Sequence, residues 1–392
     1  MNDLVENDVS KNTIVELSKE IREPKWLAEI RGKAFDAFQT SPWPAPDEEE
    51  WRRTNLAEFG FGDGDIIGDL LVSHSGGNGS GAVDPALVET AKPWLERTAS
   101  LMDNRFAALN MALWTDSRIV YVPDGVVIDE PLVVEYGSVA GKVNNIHTVV
   151  VLGRESKATV VQRFTGGGYE TIWNTGLTAG LGEGAKLSFA NIQNIEETGF
   201  FFGQYRYFLD DYSLLRSFES YTGGRLTKTR NEVFIDGSAA EALLDGVYFA
   251  TDNQHMDMRT VQYHSRRASQ SRAFFKGAVS GNGRSVYQGL IDVDEKAPGT
   301  DAYLTNKNLI LNDGARADSI PCLEIRTDDV KCSHGSTSGR LDEEALFYLM
   351  SRGLTRGQAR EELIAGFFED VIEKAPEAAG DFVRTEILKL IS

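Results

Sequence analysis

Three hydrophobic rhythms follow one another along this chain. In EPKWLAEIRGKAFDAFQ, Trp26, Leu27, Ile30, Ala34 and Phe38 recur at helical spacing and form one apolar stripe. PWPAPDEEEW at 42–51 interrupts it, because each proline fixes φ and removes a backbone donor. SHSGGNGSGAVD at 73–84 is rich in Gly and Ser and poor in apolar residues, which predicts a flexible loop. A second helical stretch is expected from about Pro85 to Leu113. Residues 1–115 therefore read as a helical region with loops.

From 116 to 340 the period shortens to two. Val, Ile, Tyr, Phe and Thr alternate with polar residues, and glycines punctuate the runs. A unit of turn, small residue and short β-prone run recurs in GRESKATVVQRF (153), GEGAKLSFANI (182), DDYSLLRSFES (210), DGSAAEALLDG (236), SRRASQSRAFF (265), GNGRSVYQGLI (281) and NDGARADSIPCL (312). The starts lie 29, 28, 26, 29, 16 and 31 residues apart. A repeat of this length predicts a β-solenoid, whose coils bury their inward residues on one another. A β-sandwich also yields short strands between turns, and the irregular spacing leaves it open on this pattern alone.

The third rhythm, 341–392, is helical again. Asp342 is placed to cap a helix running through Tyr348 to Arg352, which Gly353 ends. Thr355 and Gln358 have the spacing of a capping box that opens a second helix. Leu363, Phe367 and Val371 with Ile364, Phe368 and Ile372 make a broad apolar face. That face is expected to cover the end of the solenoid, to dock a partner, or to do both.

Composition narrows the function. The chain has 392 residues, enough for a sizeable core, with 41% hydrophobic and 25% charged residues, as in soluble globular proteins. The net charge of −19 argues against nucleic-acid or anionic-membrane partners, which require a basic footprint. The C-terminal zone alone carries 11 acidic and 6 basic residues, the wrong sign for a DNA reader. Two cysteines, Cys322 and Cys332, make no disulfide framework and suit a reducing compartment. MNDLVENDVSKN has neither a basic n-region nor an apolar h-region, and no run approaches the ~20 apolar residues of a spanning helix. The expected location is cytoplasmic.

Candidate chemistry is sparse. In DDVKCSHG, an extended segment puts Asp328, Val330, Cys332 and His334 on one face, with Cys332 and His334 roughly 6.5–7 Å apart along the strand. A thiolate and an imidazole at that spacing suit iron or zinc but make an incomplete ligand set. A buried cysteine beside a hydrogen-bonded histidine is the plainer reading of the same residues. NQHMDMRTVQYH puts His255, Asp257 and Arg259 on one strand face and His264 on the other; internal pairing is the simpler reading there too. Carboxylates cluster at Asp210-Asp211, Asp292/Asp294/Glu295 and Asp328-Asp329. Paired acids on a solenoid suggest, as an alternative, a carbohydrate-active β-helix enzyme. Adjacent acids in turns are more often simply solvated. FTGGGYE at 164–170 lacks a following lysine, and no phosphate loop, G-x-S-x-G elbow or H-E-x-x-H is present.

DDVKCSHG followed by LDEEALFYLMSRGLTRGQAREELIAGFF resembles the SufB/SufD family of iron–sulfur cluster assembly proteins, its SufD branch in particular. EPKWLAEIRGKAF, DEEEWRRTNL, ALNMALWTDSRIVYVPDGVVIDEPLVV, QHMDMRTVQYH, FKGAVSGNGRSVYQGLIDV and TDAYLTNKNLIL extend the likeness over most of the chain. The resemblance implies a right-handed parallel β-helix between helical regions. It implies a scaffold rather than an enzyme, paired with a SufB-like paralogue and docking a SufC-type ABC ATPase through the C-terminal helices. Phe347, Leu363, Phe367, Phe368 and Val371 are the residues implied for that docking. The nascent iron–sulfur cluster would form transiently at the SufB–SufD interface, with sulfur from a cysteine desulfurase system. ATP would be bound and hydrolysed by the ATPase partner. A homodimer is an open alternative for the isolated chain. His334 matches the family's interface histidine, a candidate ligand shared with a partner chain, and Cys332 matches its neighbouring cysteine. Reduced flavin has been linked to the family's complex, but no residue here supports a flavin site. Ala268-Ser269 stands where many SufD sequences have His-Cys, and Cys322 in PCLEI stands where Gln is usual, so neither takes a shared role. The SufB-type pattern lacks the CSH element.

Overall fold

The period-two zone coils into two parallel sheets of eight strands each. The computed structural model describes residues 11–20, 22–59, 85–114, 116–138, 143–167 and 171–391. Odd-numbered strands, from β1 (Asp116–Val122) to β15 (Arg316–Ile325), form sheet A. Even-numbered strands, from β2 (Leu132–Gly137) to β16 (Val330–Gly339), form sheet B. Successive strands alternate between sheets, so each coil contributes one strand to each. This is a β-solenoid of about seven turns, and the sandwich alternative is set aside. Register is continuous along the axis: Leu226, His255, Arg284 and Arg316 stand in one column.

One corner explains how the chain turns between sheets. Glu155, Gly184, Tyr212, Ala239, Ala268 and Gly299 all have left-handed φ, between 52° and 77°. Each donates its N–H to a carbonyl one coil on, at Glu183, Asp211, Ser238, Arg267, Pro298 and Asp329 respectively. That ladder of axial hydrogen bonds offsets the strain of positive φ at non-glycine residues. The motifs at 153, 182, 210, 236 and 265 all precede even strands, whereas those at 281 and 312 precede odd strands. The 16-residue interval is therefore a change of corner. The missing member of the first series is DEKAPG at 294–299, where Pro298 and Gly299 replace the small-residue signature.

Both sheets have two covered faces along most of their length, so strands such as β5 (Ile172–Leu181) and β7 (Phe200–Leu209) are buried at every position. Inward residues, among them Trp173, Phe189, Tyr205, Tyr248 and Tyr287, fill the lumen. The N-terminal helices α1 (Lys11–Glu20), α2 (Lys25–Thr40), α3 (Pro85–Ser100) and α4 (Arg105–Leu113) cover sheet A. The single helical stretch expected at 85–113 is two helices, because Asn104 caps a new one by accepting from the Ala107 N–H. On α2 the apolar stripe is buried as its spacing implies, except that Trp26 is half-buried and donates to Glu89. Arg31 joins that buried face, held by Glu23 and stacked over Trp114. The loop at 73–84 lies outside the described residues, as do 168–170 of FTGGGYE.

The C-terminal helices are α5 (Glu343–Ser351), α6 (Arg356–Ile372) and α7 (Glu377–Ile391). Asp342 caps α5, Gly353 takes φ 103° just beyond it, and Thr355 and Gln358 form the capping box of α6. The apolar face of α6 does not cover the end of the solenoid. It lies on the flank, against the outer face of sheet B at Val161, Ala190, Phe218, Val247, Phe249 and Ala278. The last coil is thereby left open.

Candidate functional site

The open coil is where the Cys-x-His pair sits. Among the described residues, β16 pairs with β14 (Thr300–Ile310) on one side and has no strand on the other, and β15 likewise pairs only with β13 (Arg284–Val293). Each strand is ten residues long, so the end of the solenoid presents two parallel edges with free backbone donors and acceptors. In register, Cys332 lies over Ala302 and His334 over Leu304. Ala302 and Leu304 are buried lumen residues, so Cys332 and His334 share the strand face that lines the core in earlier coils. With no further coil above it, His334 is exposed.

Cys332 is half-buried, and its thiol is packed against the lumen cluster. Burial pushes that thiol up from its ordinary pKa and the Asp301 carboxylate adds to this, while a backbone hydrogen bond from Ala302 acts the other way. The resting thiol is therefore no ready nucleophile, and a thiolate there calls for a cation or metal beside it. Cys332 borders an open depression shared with Arg272, Tyr303 and Lys331. Cys322 is exposed on β15, in register with Leu290 and on the face away from the lumen, so the structure does not join it to Cys332. Among the described residues, no three His, Cys, Asp or Glu side chains converge on a metal-sized site.

The other sequence candidates are structural. His255 and Asp257, on β11 (His255–His264), lie buried beneath the segment that carries Glu50 and Thr54. Thr54 Oγ1 donates to Asp257 and lies 2.9 Å from His255 Nε2. Lys228 Nζ reaches Asp257 Oδ2 at 2.9 Å and the Glu50 carbonyl at 2.9 Å. This network fastens the segment after α2 to sheet A; Arg259, next along that face, lies 3.7 Å from Glu50. Burial lowers the pKa of His255 to about 4, against the pull of Asp257. His264, on the lumen face, is bracketed by Ser269 Oγ at 2.7 Å and Ser271 Oγ at 2.8 Å, and burial lowers it to about 4 as well. Asp210, Asp211 and Asp294 are turn residues: Asp210 accepts from the Asp211 N–H, Asp211 from the Ser238 N–H, and Asp294 from the Lys296 N–H, while Asp292, on β13, pairs with Arg326.

The five C-terminal residues separate by exposure. Phe347 on α5 is 73% exposed, and Tyr348 and Met350 beside it are exposed too. Leu363 and Phe367 are half-buried. Phe368 and Val371 are sealed against sheet B, with the Phe368 ring 6.1 Å from that of Phe249. Lys276 pins this turn of α6 through the Phe367 carbonyl and Asp370, each at 2.7 Å.

Sequence reasoning missed Glu219, a carboxyl inside the lumen on β8 (Leu214–Tyr221). The signal was present in LLRSFESY, where alternation sets Ser217, Glu219 and Tyr221 on the same face as Leu215.

Fold and site together define a parallel β-solenoid scaffold with helical flanks and an open end that carries a thiol and an imidazole. The family model for the SUF system FeS cluster assembly SufBD core domain matches residues 135–367, more than half of the chain. An iron–sulfur cluster assembly SufBD family protein of Mycobacterium tuberculosis is 30% identical over 367 residues, covering 89% of each chain. One from Staphylococcus epidermidis is 24% identical over 95% of this chain and 90% of its own length. SufB of Bacillus subtilis is 25% identical over 75% of this chain and 64% of its own. The chain belongs to the SufBD family of iron–sulfur cluster assembly proteins. These likenesses do not separate a SufD-type from a SufB-type member. Among the described residues, no helix is long and apolar enough to cross a membrane.

Proposed function

We propose that this chain is a non-catalytic scaffold subunit of the SufD type in a cytoplasmic iron–sulfur assembly complex. Its open coil faces a SufB-like paralogue, and a nascent cluster is built between the two. The observation that carries this reading is His334 exposed on a terminal strand with one unpaired edge, on the same face as Cys332. A partner solenoid that adds strands to β15 and β16 satisfies their free edges and brings its own ligands to the imidazole. The nascent cluster is cargo, shared across the interface, with sulfur supplied by a cysteine desulfurase system.

The exposed face of α5 around Phe347, continued by Leu363 and Phe367 on α6, docks a SufC-type ATPase. Phe368 and Val371 hold that surface in place from beneath. ATP chemistry belongs to the ATPase. Co-expression with a SufB-like chain and a SufC-type ATPase tests the reading. One complex on gel filtration, with iron and sulfide that fall when His334 is replaced, supports it. A monomer that ignores both chains overturns it.

A further inference from the structure

A carboxyl group stands alone inside the solenoid. Glu219 is 2% exposed, and its neighbours are neutral on every side. Tyr221 Oη donates to Glu219 Oε2, Asn191 Nδ2 reaches the same oxygen at 3.4 Å, and Ser217 Oγ lies 3.4 Å from Oε1. Across the lumen stand Tyr205 and Tyr207 on β7, and Asn231 on β9 (Leu226–Ile235) faces the carboxyl outside hydrogen-bond geometry. The next strand, β10 (Glu241–Ala250), offers only Gly246 in register. The three tyrosine hydroxyls are pushed well above their ordinary range by burial, so they stay neutral. The cations of the surrounding strands are on outer faces. Arg206 and Arg230 pair with Glu232, Lys228 pairs with Asp257, and Arg216 acts on Asp245.

An ionised carboxylate sealed from water without a cation costs several kcal/mol, whereas a neutral acid needs only hydrogen bonds. Those bonds are available. Asn191 and Tyr221 donate to one oxygen and the Ser217 hydroxyl donates to the other; a hydroxyl can turn to accept when that oxygen carries the proton. Glu219 also ends a chain of buried polar groups. Tyr136 meets Thr148 at 2.8 Å, Thr148 donates to Gln162 at 2.9 Å, Gln162 to Asn191 at 2.9 Å, and Asn191 to Glu219.

We propose that Glu219 is a buried proton-binding site: the folded solenoid holds it as the neutral acid, and the unfolded chain releases that proton to solvent. Burial raises its pKa to about 7, against about 4.5 for a free side chain. Between those values folding takes up one proton, so this group's contribution is full below about pH 4.5. It is lost as pH rises to about 7 and is constant beyond. The solenoid's midsection is thus built to be firmer in mildly acidic than in alkaline solution.

Equilibrium denaturation of the full chain and of Glu219→Gln across pH 5 to 8.5 tests this. The wild-type folding constant should fall against that of the variant by up to about tenfold per pH unit below pH 7, then run parallel to it. Histidine contributions cancel in that comparison. A ratio that is flat with pH overturns the proposal. Isotope-edited infrared spectroscopy of the wild type, with carboxyl-labelled glutamate, decides it even if the variant fails to fold. A protonated carboxyl band at pH 6 that vanishes above pH 8 is expected, and a spectrum of carboxylates only at pH 6 overturns it.

Discussion

Leu304 and His334 occupy one register position on adjacent coils, yet Leu304 is sealed and His334 is exposed. The difference between them is the absence of a next coil. A position that serves the core in every earlier turn becomes, at the last turn, a side chain offered to another molecule.

Replacing His334 should therefore leave the fold intact. His334→Ala is expected to change stability by no more than about 0.5 kcal/mol, as for exposed sites without partners. In the co-expressed complex it should lower iron and sulfide content several-fold without dissolving the assembly. Metal analysis of the purified complex, beside a thermal melt of the isolated variant, checks both halves. Normal cluster content would remove His334 from the ligand set.

Phe347 and Phe368 should part company on substitution. Phe347→Asp alters an exposed side chain and is expected to abolish ATPase docking while leaving the melting temperature nearly unchanged. Phe368→Asp puts a charge into the seam between α6 and sheet B, and should cost about 3–5 kcal/mol or more. Pull-down with the ATPase and circular dichroism on both variants separate the two effects. A folded Phe368→Asp chain that has lost only its docking would contradict this assignment.

Acid should weaken the chain through its buried imidazoles. His255 and His264 have folded pKa values of about 4, below the ordinary 6.5. The unfolded chain binds their protons first, so their contribution is full above about pH 6.5 and is lost as pH falls through about 4. The slope is at most about 1.4 kcal/mol per pH unit for each histidine. Denaturation midpoints at pH 7, 6 and 5 should fall for wild type more steeply than for His264→Asn. This trend opposes that of Glu219, and the two variants should bend the stability profile in opposite directions.

The segment at 50–54 should detach when its buried ion pair is broken. Asp257→Asn leaves Lys228 buried without its carboxylate, an expected cost of about 3–5 kcal/mol. Fluorescence of Trp51, which lies under the Lys228 ammonium at 4.9 Å, should report the loss before global unfolding.

Much of the architecture can be read locally. The helix of 25–40, the caps at Asp342 and Thr355 and the coil-length repeat each depend on residues a few positions apart, and so does the family likeness at 328–368. What local order cannot convey is which residues stack. Two kinds of corner carry similar turn residues, so the motifs at 265 and 281 look like neighbours in a series although they precede different sheets. Phe367 and Phe368 are adjacent in the chain and equally apolar, but only the second turns wholly into the seam. Cys332 and His334 alternate like any other strand pair; the helical rhythm from 341 marks their strand as the last, but nothing local tells that the helices pack on the flank and leave that strand's edge uncovered. The chain by itself determined a repeating ladder with helical flanks and a thiol–imidazole pair. Only the stacking of coils, which joins residues distant in sequence through axial hydrogen bonds, decided that Glu219 is enclosed and His334 is left open.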